Sequence, residues 1–594
     1  MRLPTLQTIS LGLRATFVRF PIPTSVAALT TALLVLAIGE DFDESHIFRL
    51  AFLTGLGFVA SLLCDLVAEA RGASGRNRLI GHTGILILLL LYGRFFMPEF
   101  LDEARPPFWY GYFILLFALH LGIALVPAIG KSGSEKLWRF NLNCFLRYFF
   151  SSVNAALLFG GLALALLSVD KLFELGLDDE LYPQLWVICA LFAHPMLFLS
   201  GLPRIDSPEE ATDFPKPLRF SLCFIGLPLV ALYLLILYAY IAKIGIQWSW
   251  PNGWVAMPIF VLAVISLLTF VLSLPLPKTE NWARFFHRWL FRALLPLSVV
   301  LFLALQVRLG DYGMTINRYL GLALAVWLFG LSLAYIIRPA LKIAWMPFSL
   351  LLIALLSIYS GPIGAFGWSE RAQMGRIQNM AEEFGVLKNG ILVPSTGDFE
   401  SERVAELQSA LRYLFENFGP QPLEAELAGF YKENNQSDFS SKRSYNMTSR
   451  VMKYLELNDK LSGSRKNFYA NRNVMPTHGH EWMVDLDVYS YRNNETSRSV
   501  TVDGRELLFT TNLEESRLTI TADGTSIIEI DTNEWANELH DRIKTSGPDQ
   551  TEPVFWQANA GDWAFTFGCT NAQLNSQGDR FQSARFTIFL TLPD

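Results

Sequence analysis

The residues best suited to chemistry lie inside long apolar runs. Asp65 and Glu69 stand one helical turn apart near the end of one run, and His82 opens the next. Asn143, Arg147, Ser151 and Asn154 recur at intervals of four, four and three, which puts them on one helical face. His120 and His194 lie deeper in their own runs. Pro195 follows His194 and is expected to loosen the helix ladder there. Ionisable groups in lipid are costly, so they pair, face a bundle interior or line a wet path. We expect Asp65, Glu69, His82 and Arg147 to form one inner polar cluster. His120, His194 and Asn154 are expected nearer the midplane. Buried pairing that fixes helix packing is the simplest role. A proton or solute path is the functional one, since histidine titrates nearest neutral pH.

Two other groups carry weaker signals. Glu40, Asp41, Asp43 and Glu44 crowd one short loop. Carboxylates there could hold a divalent cation against a phosphate leaving group. A solvated acidic loop is the simpler reading. His478 and His480 would share a face of a strand, as a metal site requires, but zinc needs a third ligand. Only His540, Cys569 and carboxylates are available for that, so a surface pair is the simpler reading. The five cysteines include no CxxC pair, and no phosphate-binding glycine loop, nucleotide fingerprint or HExxH is present. We expect no cofactor.

The elements that must hold these residues follow from hydropathy and charge. The 594-residue chain is 52% hydrophobic and 17% charged, with a mean hydropathy of +0.31. That is too little charge to cover a soluble surface of this size. Residues 1–369 carry 26 basic and 21 acidic residues, and residues 370–594 carry 22 and 33. The first region fits lipid and the second fits water. A span needs about 20 mostly apolar residues. Eleven stretches qualify: roughly 21–39, 50–69, 79–97, 108–129, 142–166, 183–202, 219–242, 254–275, 293–309, 319–337 and 343–363. The ninth and tenth are the weakest. The first lacks a small-residue cleavage site and reads as an uncleaved span. Eighteen basic residues flank the spans on one side and seven on the other. The richer side, with Arg14, Arg19, Arg71, Arg76 and Arg78, is expected in the cytoplasm. An N-terminus inside and an odd count put the C-terminal region outside.

From residue 370 the pattern changes. Residues 370–386 and 402–418 read as amphipathic helices, the second through Leu407, Leu411 and Leu414. A third helix is expected over 441–457. Strands are expected at 482–489, 499–502, 506–511, 516–521 and 526–530, with turns at Asp503-Gly504 and Asp523-Gly524. A helix over 534–543 and strands near 563–567 and 585–592 complete an α+β region.

Several segments, in order and spacing, are similar to one bacterial membrane-protein family. They are Arg19-Phe20-Pro21, the runs 157–175, 198–203 and 227–244, Pro251-Asn252-Gly253-Trp254-Val255, and the run 312–320. Together they resemble the family labelled domain of unknown function 4153, over most of residues 10–400. The resemblance implies a polytopic inner-membrane protein with an extracytoplasmic tail and brings no catalytic residues.

The expected class is a polytopic α-helical membrane bundle of about eleven spans, residues 1–369, followed by an extracytoplasmic (periplasmic) α+β domain, residues 370–594. The expected role is transport or envelope maintenance, with an outer domain that binds a ligand or partner. A membrane enzyme acting on a lipid-linked substrate and an extracytoplasmic sensor are the alternatives. The expected partners are the bilayer itself and an envelope protein or small solute. The acidic tail argues against nucleic acid.

Overall fold

A computed structural model describes residues 6–38, 44–99, 101, 104–129, 134–205, 214–247, 256–395, 397, 399–433, 444–457, 466–470, 482–489, 495–502, 505–512, 515–546, 549–550, 554–561, 563–574 and 579–591. The chain divides into two compact units. The first comprises Met1–Glu383, Leu387–Leu392 and Ser409–Thr448. The second comprises Phe384–Val386, Val393–Gln408 and Ser449–Asp594.

The first unit is helical. It opens with α1 (Leu6–Arg19), α2 (Pro21–Ala37), α3 (Glu44–Ala70), α4 (Gly75–Phe95), α5 (Pro106–Leu125) and the 40-residue α6 (Ser134–Phe173). Eight helices of the described chain are long and apolar enough to cross a membrane. A ninth arises if Gly12–Arg19 and Pro21–Ala37, bent by 106°, count as one span. The expected eleven is therefore a little high. The difference lies in Ala256–Leu272 and Trp345–Tyr359, of 17 and 15 residues. At 1.5 Å per residue they reach only about 22–26 Å, short of a core of about 30 Å. The ninth and tenth stretches fall in full-length helices, Asn281–Tyr312 and Ile316–Ile337. The former begins well before its apolar run because its first turns carry Arg284, Arg288 and Arg292.

Along Asn281–Tyr312, Leu290, Leu294, Leu297 and Leu301 are all buried. Their spacing of four, three and four forms one stripe. It packs with Ile259, Leu262, Ala325 and Leu328 of the neighbouring helices.

Residues 409–448 also fold onto this unit. Arg105 Nη1 donates to the Phe415 carbonyl at 2.7 Å, and the Ile316 amide donates to Tyr413 Oη at 2.8 Å. Burial pushes the Tyr413 phenol above its ordinary pKa. Gly419 has φ of +79°, and a Cβ there would meet the Arg105 guanidinium at 2.6 Å. Strain and space both require glycine. Gly419→Ala is expected to cost about 1–3 kcal/mol, read as a lower melting temperature of the full chain in detergent. An unchanged melt would contradict this.

The second unit is mainly β. Its strands are β3 (Lys466–Ala470), β4 (Trp482–Tyr489), β5 (Glu495–Val502), β6 (Arg505–Asn512), β7 (Arg517–Ala522), β8 (Thr525–Asp531), β9 (Asp549–Gln550), β10 (Val554–Ala560), β11 (Trp563–Leu574) and β12 (Phe581–Thr591). The short pair β1 (Leu387–Lys388) and β2 (Ile391–Leu392) belongs to the helical unit. One sheet runs β4-β12-β11-β3-β9, with β10 also on β11. The other is an antiparallel meander, β5-β6-β7-β8. Asp523 and Gly524 both have positive φ, as the expected two-residue hairpin turn requires. The turn expected at Asp503-Gly504 lies outside the described residues. Phe509, Leu518 and Ile520 of the meander share a core with Phe565, Phe567 and Ile588 of the larger sheet. Trp535 and Leu539, from the helix Asn533–Ser546, complete that core. The fold is thus a polytopic helical bundle followed by an α+β region.

Candidate functional site

A single turn builds the site. α3 ends in a left-handed Gly72, whose amide bonds the Glu69 carbonyl while the Ala73 amide bonds the Ala68 carbonyl. This pair of bonds is the Schellman cap, and glycine supplies the left-handed residue without a Cβ penalty. Two residues later Ser74 caps α4, its Oγ accepting from the Asn77 amide. The short turn folds α4 back along α3. Asp65 and Glu69 are four apart on α3, and Arg78 and His82 are four apart on α4, so the two faces meet.

Asp65 Oδ1 takes Arg78 Nε at 2.6 Å and His82 Nε2 at 2.6 Å. The Asp65 side chain is 1% exposed and that of His82 8%. Asp65 Oδ2 and His82 Nδ1 are buried and have no hydrogen-bond partner among the described residues. Arg78 also donates through Nη2 to the Arg19 carbonyl at 2.5 Å.

Arg19 carries the network to Glu69. Its Nη2 lies 3.0 Å from Glu69 Oε2, its Nη1 donates to the Leu202 carbonyl at 2.6 Å, and Nη2 also reaches the Pro203 carbonyl at 3.0 Å. Glu69 Oε1 accepts from the Ile205 amide at 2.9 Å. Arg19 is placed by the bend between α1 and α2. Proline disfavours helical conformation in the residue before it, and Phe20, before Pro21, has φ −126° and ψ 60°. Phe20 is fully buried and locks the corner. Arg19 therefore ties α1, α3 and the segment 201–205 together. Arg19→Ala removes charged hydrogen bonds worth about 1.5–3 kcal/mol. Amide exchange at Ile205 is then expected to quicken by about tenfold or more. Unchanged exchange at Ile205 would sink that role for Arg19.

A cavity of about 840 Å³ adjoins the network, lined by Arg14, Arg19, Asp65, Glu69, Arg78 and Arg204 among others. A second cavity, of about 320 Å³, is lined by Tyr148, Ser152, Trp186, Cys189 and His194. There His194 Nε2 lies 3.2 Å from Ser152 Oγ, and its ring meets Tyr148 edge-on. The helix Leu181–Ser200 widens into a π turn at Cys189–Ala193, the local loosening that Pro195 imposes. The helix Lys216–Gln247 repeats the pattern, with a π turn at Leu222–Gly226 ahead of Pro228.

The structure brings Asp65 and His82 together and adds Glu69 through Arg19 and Arg78. Arg147 does not join them. It is exposed on α6, packed against Gly201, and makes no hydrogen bond among the described residues. Helical spacing fixes which residues share a face but not where that face points. Asn143 and Asn154 are exposed on the same helix, while Ser151 is buried. His120 is exposed, with Nδ1 2.8 Å from the Leu116 carbonyl. Arg19 and Arg78 are the residues missed. The signal was present, since Arg78 stands four before His82 and Arg19 precedes Phe20-Pro21.

Glu40, Asp41, Asp43, His478 and His480 lie outside the described residues, as does the Glu44 side chain. Among the described residues no group of three or more His, Cys, Asp or Glu could hold a metal. Cys569 is wholly buried, with its thiol pushed up to about 12 by burial. It should resist alkylation at pH 8 in the folded chain and react in urea. Its buried neutral form favours folding below the ordinary thiol pKa, and that contribution fades as pH rises toward 12.

No solved structure matches the chain. An uncharacterised protein of Pasteurella multocida (strain Pm70) is 26% identical over 247 residues, 41% of this chain. The match spans 42% of that relative's length. The profile of the family described as Domain of unknown function (DUF4153) matches residues 26–382. That stretch holds Asp65, Glu69, Arg78 and His82 and covers more than half of the sequence, so the chain belongs to the DUF4153 family.

Proposed function

We propose that the chain is a multi-pass protein of the bacterial inner membrane that serves transport or envelope maintenance. Its working centre is the Arg19–Glu69–Arg78–Asp65–His82 network. The N-terminus is cytoplasmic, and the region from about residue 370 lies outside and binds a ligand or partner. The observation that carries this reading is the incomplete pairing of Asp65 and His82. Both are buried, they share one short contact, and each keeps an unpartnered polar atom beside a cavity of about 840 Å³. A pair serving helix packing alone gains by satisfying every polar atom. A group that takes up and releases a proton needs an atom left over. The orientation rests on the 18-to-seven division of basic residues. Arg105 and Ile316, on the charge-poor side, hold Phe415 and Tyr413, in keeping with an outer location for the residues that follow the bundle.

The test is complementation of a deletion strain. Asp65→Asn should insert at the wild-type level yet restore none of the resistance to detergent and large antibiotics that an intact envelope gives. Full restoration by Asp65→Asn would overturn the reading.

A further inference from the structure

We infer that the cavity at the α1 bend binds a phosphate group, carried by an anionic lipid headgroup or by a soluble phosphate ester. This names the ligand class of the centre proposed above and rests on that reading for its biological purpose. Its physical basis is separate.

The lining holds four arginines, Arg14, Arg19, Arg78 and Arg204, against two carboxylates, Asp65 and Glu69. The carboxylates are already committed. Glu69 is held by Arg19 and the Ile205 amide, and Asp65 Oδ1 by Arg78 and His82. The positive charge is not fully matched. Arg14 makes no ion pair among the described residues. Arg78 uses only Nε and Nη2, which leaves the Nη1 donors uncommitted. A pocket with two surplus guanidinium charges in a partly dry setting calls for an anion. The planar fork of arginine matches the oxygens of phosphate, two at a time.

Size and surroundings narrow the class. About 840 Å³ is far more than a bare inorganic anion fills and lies within the range of sites for organic ligands. α1, which supplies Arg14 and Arg19, also presents Leu13, Phe17 and Val18 outward, at 47%, 54% and 71% exposure. Val18 lines the cavity itself. A basic pocket rimmed by exposed apolar side chains suits a headgroup with acyl chains attached, and such pockets near the cytoplasmic face favour anionic lipids. We place the soluble ester second for want of any feature that would exclude chains.

Native mass spectrometry of the full chain in neutral detergent tests this. Phosphatidylglycerol, phosphatidylcholine and sn-glycerol 3-phosphate are titrated in turn, with wild type and with Arg14→Gln/Arg204→Gln. Both substitutions lie outside the Asp65 and Glu69 contacts. Phosphatidylglycerol is expected to bind well above phosphatidylcholine, and its affinity to fall ~30-fold in the double variant. If sn-glycerol 3-phosphate binds instead, with the same loss, the phosphate site stands and its source is the soluble ester. If neither anion outbinds phosphatidylcholine, or the variant binds as wild type does, the inference is overturned. Arg14→Gln alone serves should the double variant not fold, with a smaller loss expected and an undiminished affinity again overturning the site. Binding is read without any cellular phenotype. Failed complementation with intact binding, or the reverse, therefore separates this inference from the functional reading.

Discussion

Asp65→Ala is expected to destabilise the helical unit by about 3 kcal/mol. Removing one member of a buried charge pair costs about 3–5 kcal/mol because the other is left uncompensated. Here Arg78 and His82 both lose their acceptor, since both converge on Asp65 Oδ1. The Arg78 side chain is 31% exposed and can turn toward water, which holds the loss near the lower end. Two further variants separate charge from volume. Asp65→Asn keeps the shape and is expected to cost less. Adding Arg78→Ala to Asp65→Ala should recover part of the loss, because the stranded cation goes with it. Thermal melts of the full chain in nanodiscs read all three. A melt of Asp65→Ala indistinguishable from wild type would show that the network contributes nothing to the fold.

The second large effect lies in the β unit. Phe567 is wholly buried on β11, between Trp556 of β10 and Ile588 of β12 in register. Its ring lies 4.9 Å from that of Trp535, which stacks on Trp556 at 5.0 Å. Trp556 Nε1 in turn donates to Glu538 at 2.7 Å. Phe567→Ala opens a cavity where the meander, the larger sheet and the helix Asn533–Ser546 share one core. The expected cost is about 3–5 kcal/mol, a large part of what a unit of this size has. Near-UV circular dichroism should lose the signature of the stacked tryptophans, and protease should cut within β10–β12. A resistant chain with an unchanged spectrum would mean that the core closes around the gap.

The sequence carried the layout because hydropathy is a local quantity. Long apolar runs became the helices, and alternation at 482–489 became β4 over the same residues. Leu407, Leu411 and Leu414 are buried as their spacing implies. The strand β10 was legible and overlooked, since Val554 and Trp556 are buried and alternate with more exposed neighbours. The site was legible only in half. Asp65, Glu69 and His82 declare themselves by charge within apolar runs. Arg78 and Arg19 were absorbed into the charge asymmetry that orients the spans, although the same guanidinium can orient a helix and pair a carboxylate. The carbonyls of Leu202 and Pro203 and the amide of Ile205 carry no side-chain signal at all. Arg147 was misplaced because the packing of α6, not its periodicity, decides what its polar face meets.

The reach of Arg19 also has a consequence in time. Its partner Glu69 follows within 50 residues, but the Leu202 carbonyl it caps is made 183 residues after it. At about 5–20 residues per second that gap lasts roughly 10–40 s. Throughout it α1–α4 have left the ribosome with the knot half tied, Arg19 and Glu69 joined but the last strands of the knot not yet made. Any chain that stops short of Ile205 holds it permanently open. The network thus records that translation has passed the sixth apolar run, and truncated chains should be the ones whose polar centre stays exposed to the cell's membrane proteases.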